Sequence, residues 1–325
     1  MTCIPVKPEL YFRENATMNE FYEKLKNKLP DSEVLFDEPM SRHTTFRVGG
    51  KADLYVNVAH GELKDAVMLC KNGGVPFTVI GNGSNILVGD GGIRGAVIEL
   101  GNRCCGIEIQ QIEDDGSVMI RAEAGAMLSS LSSFAAEQAL TGLEFASGIP
   151  GTVGGAVTMN AGAYGGEIKD VISEAACMDP ETGESFTLSR DELKLDYRHS
   201  VVMERPVIIT SAVFKLEPGD RQDIKAHIEE IRQKRIDKQP LNFPSAGSTF
   251  KRPVGYFAGK LIEDAGLKGF SVGGAEVSEK HAGFVINKGG ATAADIRSLI
   301  REVSDRVYEN SGVRLEPEVR FLGEF

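Results

Sequence analysis

No stretch of this chain stays apolar long enough to span a bilayer. Its start, MTCIPVKPELYFREN, carries charges and prolines where a secretory signal needs an apolar run. A cytoplasmic protein without membrane insertion is the expectation. Cysteine is sparse and lacks a framework: Cys3, Cys70, Cys104, Cys105 and Cys177 make an odd count with no C-x-x-C. That fits a reduced compartment in which each thiol fills space, with the adjacent pair Cys104–Cys105 as the redox alternative. The five histidines are scattered, none in H-x-x-x-H or another metal spacing, so no metal site is expected. Positive charge is also in deficit. Lys and Arg total 36 against 47 Asp and Glu, a net charge of −11. Such a surface repels polyanions, which argues against non-specific nucleic-acid binding and leaves room for a local basic pocket that takes a small anion. There is no internal repeat and no low-complexity segment.

At 325 residues, 42% of them apolar, the chain exceeds what one ordinary core needs, and two or three domains are expected. Met18 to Leu29 has helical spacing. ADLYVNV reads as a strand. Leu63, Ala66, Val67 and Cys70 recur at i, i+3, i+4 and i+7, an amphipathic helix stopped by Gly73-Gly74. PFTVI is a buried strand. From Gly81 to about Leu216, short β-rich runs (AVIEL, GIEIQ, SVMIRAEAG, GAVTMN, VIITSAVFKL) alternate with glycine-rich turns, around one helix near Met127 to Leu140. This is α+β texture and not a regular βαβ series. Pro218-Gly219-Asp220 marks a boundary. After it come a charged helix ending in Lys234, Arg235 and Lys238, a helix from Phe257 to Ala265, the strand GFVIN, a helix from Ala293 to Asn310 and the strand-like VRLEPEVRFLG.

Five motifs can carry chemistry. In VIGNGSNILVGDGG a strand runs into Gly81, Asn82, Gly83, Ser84 and Asn85. Successive N–H groups there can converge as an anion-binding nest, or the segment is simply a tight β-turn. It is neither a Walker A loop nor a Rossmann fingerprint, because no Gly-Lys-Ser/Thr follows and ILV replaces a helix start. ASGIPGTVGGAVTMNAGAYGGEI holds seven glycines between Gly148 and Gly166. That density suggests backbone laid against a flat ligand, the alternative being an array of structural turns. LDYRHS places Arg198 beside Tyr197, where a lone Arg is ordinarily solvated. PSAGSTFKRP sets Ser248 in a turn without a G-x-S-x-G elbow, which argues against a hydrolase. In LEPEVRFLG, a strand would put Glu316 and Glu318 on one face, with Leu315, Val319, Phe321 and Leu322 arguing for burial.

In order, GNGSNILV, SGIPGTVGGAVTMNAGAYG, YRHS, AGSTFKRP-x₆-GKLIEDAGLKG, VSEKHAGFVIN and LEPEVRF closely resemble the UDP-N-acetylenolpyruvoylglucosamine reductase family. The likeness runs from Thr44 to Gly323, and the ordered set is far more specific than any member. The resemblance implies an α+β chain with an FAD-binding domain of the vanillyl-alcohol-oxidase (PCMH) type and a C-terminal α+β substrate domain. The expected division is a segment 1–45 packing with the flavin domain, an FAD-binding domain 46–217, a substrate domain 218–311, and a C-terminal strand 312–325. FAD would be non-covalent, with His43 structural. Gly81–Asn85 would hold its pyrophosphate, and Ile149, Pro150, Gly154, Gly155, Asn160, Gly162, Ala163 and Tyr164 would line the flavin and ribityl chain. NADPH would be the hydride donor. The UDP-sugar would be reduced on the way to UDP-N-acetylmuramate, a peptidoglycan precursor needed for cell shape and division. Matched by motif, Arg198 and Glu318 would stabilise charge on the carboxylate side, with Glu318 protonated or sharing a proton, and Ser248 would donate the completing proton. Tyr197, Lys238, Lys251, Arg252 and His281 are substrate candidates, although a solvated helix end and a structural histidine also account for Lys238 and His281. FKLEPGDRQDIK is short and has no Tyr, so the chain resembles the subgroup without a Tyr-bearing substrate loop. A monomer is expected. The competing expectations are a flavin oxidase or dehydrogenase acting on another alcohol or sugar, and a non-catalytic flavin-binding regulator.

Overall fold

The computed structural model describes residues 3–4 and 15–325, with side chains from residue 18 onward. The side chain of Cys3 and most of MTCIPVKPELYFREN lie outside the described residues. The chain forms two units: Met1–Asp37, Asp53–Asn82 and Gly95–Arg232 in the first, and Glu38–Ala52, Gly83–Arg94 and Gln233–Phe325 in the second. Each has its own apolar core.

Two sheets organise the first unit. One has five strands in the order Cys3–Ile4, Phe77–Ile80, Ile93–Glu99, Lys51–Asn57, Glu33–Pro39. Phe77–Ile80 is buried along its whole length and runs parallel to Ile93–Glu99, as an uninterrupted apolar run suits a strand covered on both faces. The other sheet is antiparallel: Ser185–Ser189, Ile172–Met178, Ile208–Pro218, Val118–Glu123, Ile107–Ile112, with Leu140–Thr141 also on the long strand Ile208–Pro218. The helix Leu63–Asn72 buries Ala66, Val67 and Cys70 as its spacing predicts, and the Gly73 N–H closes it on the Leu69 carbonyl. The helix near Met127 spans Leu128–Glu137. GAVTMN corrects the β reading: it lies in the α-helix Val153–Met159, closed by Asn160 in left-handed geometry. Seven residues are too few for periodicity to tell a helix from a strand.

In the second unit the helix Ala293–Ser311 buries Ile296, Leu299, Ile300, Val303 and Val307, each worth roughly 1.5–3 kcal/mol of burial. Thr292 and Asp295 form a capping box at its start. Asp90, in the GDGG that follows the first motif, accepts the Ala293 and Ala294 N–H groups at 2.8 and 2.9 Å. A carboxylate there satisfies orphan donors and faces the positive helix end. The helix packs on an antiparallel sheet of Ser271–Val272, Ala275–Val277 and Val285–Asn287. The helices Arg221–Lys238 and Ala258–Asp264 agree with their sequence patterns. The C-terminal run does not form one long strand. Only Arg320–Leu322 is strand, parallel to Ile86–Val88. Glu316 is exposed and bonded to Lys251, Leu315 and Val319 are buried as expected, and Phe321 is 40% exposed. Pro317 cannot donate to a ladder, and it forms an isolated bridge with Phe250 while Glu316 and Glu318 bond to Lys251 and Thr249 on either side.

Among the described cysteines none is in a disulfide. Cys70 and Cys177 are buried as expected, and burial pushes each thiol up to about 12. Cys105 is exposed and fills no core space.

Candidate active site

In the first unit an open groove of about 410 Å³ lies between Val79–Gly81 and Val207–Ile209, with Ala124, Thr152 and Gly155 on its lining. Local packing shapes it. A Cβ on Gly81 would lie 2.2 Å from the Thr152 hydroxyl, so only glycine lets the first motif approach the second. The Asn82 amide donates to the Pro150 carbonyl at 2.7 Å and ties the two motifs again. The hydroxyls of Thr152 and Ser147 are buried with no protein partner. Such orphans are uncommon in native interiors and mark where a ligand would complete the bonding. Sequence reasoning passed over both, though Thr152 is the one hydroxyl in GIPGTVGGAV.

The glycines of the second motif divide by cause. A Cβ on Gly154 would meet that of Ala124 at 2.9 Å, one on Gly162 would meet Glu167 at 2.7 Å, and one on Gly166 would meet the Phe145 ring at 2.7 Å. Tyr164 and Gly165 both have positive φ, 52° and 93°, at the tip of the hairpin Gly162–Ala163/Gly166–Glu167, the geometry of a type I′ turn. Gly155 differs: its Cβ would meet nothing nearer than the Thr152 hydroxyl at 3.7 Å, and it lines the groove. A helical glycine that the fold does not require keeps backbone open to a ligand.

Asn160 is fully buried, and its side chain bonds to three neighbouring residues of the protein. The amide donates to Glu167 at 2.7 Å and to the Asp196 carbonyl at 3.1 Å, while its oxygen accepts the Lys169 N–H at 2.9 Å. These bonds make it a clamp between two turns. The clamped turn presents Arg198 at φ 54°, with the guanidinium 5.2 Å from the Tyr197 ring centroid and 3.5 Å from the Gly162 carbonyl. Left-handed backbone at an arginine is costly, and such strain concentrates at functional positions. His43 is held by Glu38 at 3.0 Å.

The second unit joins the rest of the first motif to Ser248 and Glu318. The Glu318 N–H donates to the Thr249 carbonyl at 2.8 Å, and the Asn85 amide donates to the Glu318 carbonyl at 3.2 Å. Thr249 is fully buried and pinned by Gly283 and Val285, which leaves neighbouring Ser248 exposed on a fixed backbone. Arg320, which sequence reasoning left out, donates its N–H to the Asn85 carbonyl at 3.0 Å, and burial lowers its guanidinium pKa. Thr45 donates its N–H to the Gly83 carbonyl and has a buried hydroxyl without a partner, a second position missed. The Lys251 ammonium is 3.3 Å from Glu316. The Arg252 guanidinium stands 4.0 Å over the Phe257 ring. His281 accepts the Gly283 N–H on Nδ1 at 3.1 Å, and burial pulls its pKa below the ordinary histidine value, helped by Lys268 and exposed Lys238. Among the described residues no group of three or more His, Cys, Asp or Glu could hold a metal.

A model of the FAD binding domain matches residues 54–189, and one of the UDP-N-acetylenolpyruvoylglucosamine reductase C-terminal domain matches 239–322. The UDP-N-acetylenolpyruvoylglucosamine reductase of Agathobacter rectalis is 54% identical over 95% of this chain and 100% of its own. The chain belongs to the UDP-N-acetylenolpyruvoylglucosamine reductase family. The Clostridium botulinum relative of the same name is 50% identical over 94% of this chain and 97% of its own. The crystal structure of the reductase from Thermus caldophilus aligns with TM-score 0.71 at 34% identity, covering 90% of this chain and 99% of that one. The α+β class with a flavin-binding domain is therefore established, and FAD is the cofactor. The groove fits it: an apolar floor, an orphan hydroxyl at Thr152, and an open helix face at Gly155.

Proposed function

We propose that this chain reduces UDP-N-acetylglucosamine enolpyruvate to UDP-N-acetylmuramate, with NADPH as donor, in the cytoplasmic supply of peptidoglycan precursor. The observation that carries the reading is the bonding of Thr249 to Glu318, which holds Ser248 and Glu318 on one backbone frame in a chain matched end to end by reductases. When bound, FAD supplies the hydride that NADPH has given up. Thr152 and Ser147 would bond its polar groups, and Gly155 would leave it room. Ser248 gives its hydroxyl proton to the substrate carbon that becomes basic on reduction, a contribution of about 10²–10⁴-fold. Arg198 and Glu318 bear on the charge that develops at the carboxylate side. Lys251 and Arg252 serve the diphosphate. Residues 46–217 act as the flavin part, 218–311 as the substrate part, and 312–325 supply Glu318. The active species is a monomer.

The test is anaerobic stopped-flow absorbance at the flavin band. NADPH should bleach the protein, and the enolpyruvyl UDP-sugar should restore the colour. Ser248→Ala should slow only the second phase. A protein that NADPH bleaches but the UDP-sugar cannot reoxidise would sink the substrate assignment.

A further inference from the structure

The turn that presents Arg198 is strained at its tip and held from below. Asp196 and His199 exchange backbone bonds in both directions, the His199 N–H to the Asp196 carbonyl at 3.0 Å and the Asp196 N–H to the His199 carbonyl at 3.2 Å. Tyr197 and Arg198 are the two residues between them. Arg198 sits at φ 54°, where turn geometry favours glycine, so the arginine keeps this backbone only while its surroundings impose it. Asp196 and Tyr197 are exposed, and the imposing contacts lie at the base of the turn. The Asp196 carbonyl accepts the Asn160 amide at 3.1 Å, and the buried Ser200 hydroxyl donates to the Thr158 carbonyl at 2.7 Å. Thr158 and Asn160 stand at the end of the helix Val153–Met159, the helix whose Gly155 opens on the groove. Asn160 is itself fixed. Its amide nitrogen faces two acceptors, the Asp196 carbonyl and the Glu167 carboxylate, and its oxygen accepts the Lys169 N–H. Glu167 is held in turn by the Lys169 ammonium at 2.6 Å. A carboxamide supplies both donors and the acceptor that this arrangement needs, whereas aspartate would set a carboxylate oxygen against both acceptors.

We propose that Asn160, seconded by Ser200, is a positioning residue for the step that reduces the UDP-sugar: it ties the Arg198 turn to the helix that lines the groove and so fixes where the guanidinium stands. The proposal rests on the functional reading above, in which Arg198 bears on the charge that develops at the carboxylate side. Asn160 touches no reacting atom and acts through Arg198. Without the clamp the turn relaxes from its left-handed backbone, and the guanidinium at its tip moves with it. A misplacement of about 1 Å can cost about 10²-fold, because stabilisation of a developing charge depends on donors already in place.

Asn160→Gly removes the clamp and keeps the left-handed residue that closes the helix, at φ 43°, since glycine adopts that backbone freely. In anaerobic stopped-flow absorbance on the holoenzyme, reoxidation by saturating enolpyruvyl UDP-sugar should slow about 10- to 100-fold. FAD content and the rate of bleaching by NADPH should stay within about twofold of the parent. The decisive measurement is the double-mutant cycle with Arg198→Ala. A residue that acts through Arg198 has nothing left to position once that side chain is gone. The double variant should therefore reoxidise no more than about twofold slower than Arg198→Ala alone. Losses that multiply in the double variant would overturn the proposal, as would equal slowing of both phases or parent-like reoxidation in Asn160→Gly. Should Asn160→Gly not fold, Ser200→Ala, which cuts the parallel tie to Thr158, takes its place in the same cycle and is read by the same outcomes. A parent holoenzyme that the UDP-sugar does not reoxidise fails the functional reading first, a result distinct from multiplying losses in a working enzyme.

Discussion

Alanine at Gly155 should move two quantities in opposite directions. In the cofactor-free protein the added methyl meets only the Thr152 hydroxyl, at 3.7 Å, an ordinary contact. The position lies inside Val153–Met159, where alanine is favoured over glycine by about 0.5–1 kcal/mol. The apoprotein should therefore melt about 1–3 °C higher. The same methyl enters the groove. A methyl forced against a bound ring system costs about 1–3 kcal/mol, so the FAD Kd should rise about 5- to 150-fold. Differential scanning calorimetry of the apoprotein and titration by flavin fluorescence read the two effects separately. Gly154→Ala is the contrast. Its methyl would press on Ala124 at 2.9 Å and should lower apoprotein stability. Parent-like FAD affinity in Gly155→Ala would refute the assignment of that open face to the cofactor.

Thr152→Val keeps the shape and removes an orphan hydroxyl, so apoprotein stability should hold or rise slightly while FAD affinity falls about tenfold by equilibrium dialysis. Among the described cysteines, Cys105 should be alkylated first by iodoacetamide in the native protein, as read by peptide mass mapping. Cys70, Cys104 and Cys177 should lag, because burial holds each thiol near 12 and the thiolate is the nucleophile. His281 has a folded pKa below its unfolded value near 6.5. The unfolded chain therefore binds the extra proton, and His281 costs stability as pH falls from about 7 through that folded pKa. His281→Gln should lose less stability than the parent between about pH 7 and 5 in urea titrations, and equal pH slopes would contradict the shift.

What the sequence made legible follows from which interactions are local. The helices at Leu63 and Ala293 are long enough for their apolar periodicity to be read, and their stops at Gly73 and Gly312 are chain-local signals. GAVTMN was not legible, because its helix is shorter than two full periods of the pattern and is held by partners distant in sequence. The N–H groups of Val153 and Gly154 go to the carbonyls of Ala126 and Ala124 at 2.8 and 2.9 Å. The second cap on the Ala293 helix, Asp90, lies 203 residues away and leaves no local trace.

The glycine-rich segment shows where reading composition as chemistry succeeds and where it misleads. The density of glycine suggested backbone against a flat ligand, on the premise that structural turns would tolerate bulk. Most of the positions contradict that premise. Gly154, Gly162 and Gly166 are excluded from bearing side chains by Ala124, Glu167 and Phe145, and Gly165 by its φ. At these positions glycine is required by protein packing or backbone geometry. Gly155 has no such reason. Gly81 and Gly154, which let protein approach protein, line the groove, and Gly155, whose Cβ would meet only the Thr152 hydroxyl at 3.7 Å, leaves it open. The same test explains Asn160. Its amide is bonded to Glu167, Asp196 and Lys169, which uses both of its N–H donors. Thr152, eight residues earlier, has an unused hydroxyl in the groove lining. Bonding capacity left over after the fold is satisfied separates the residues that can hold a ligand from those that hold the loop, and it can be counted only once the partners distant in sequence are known.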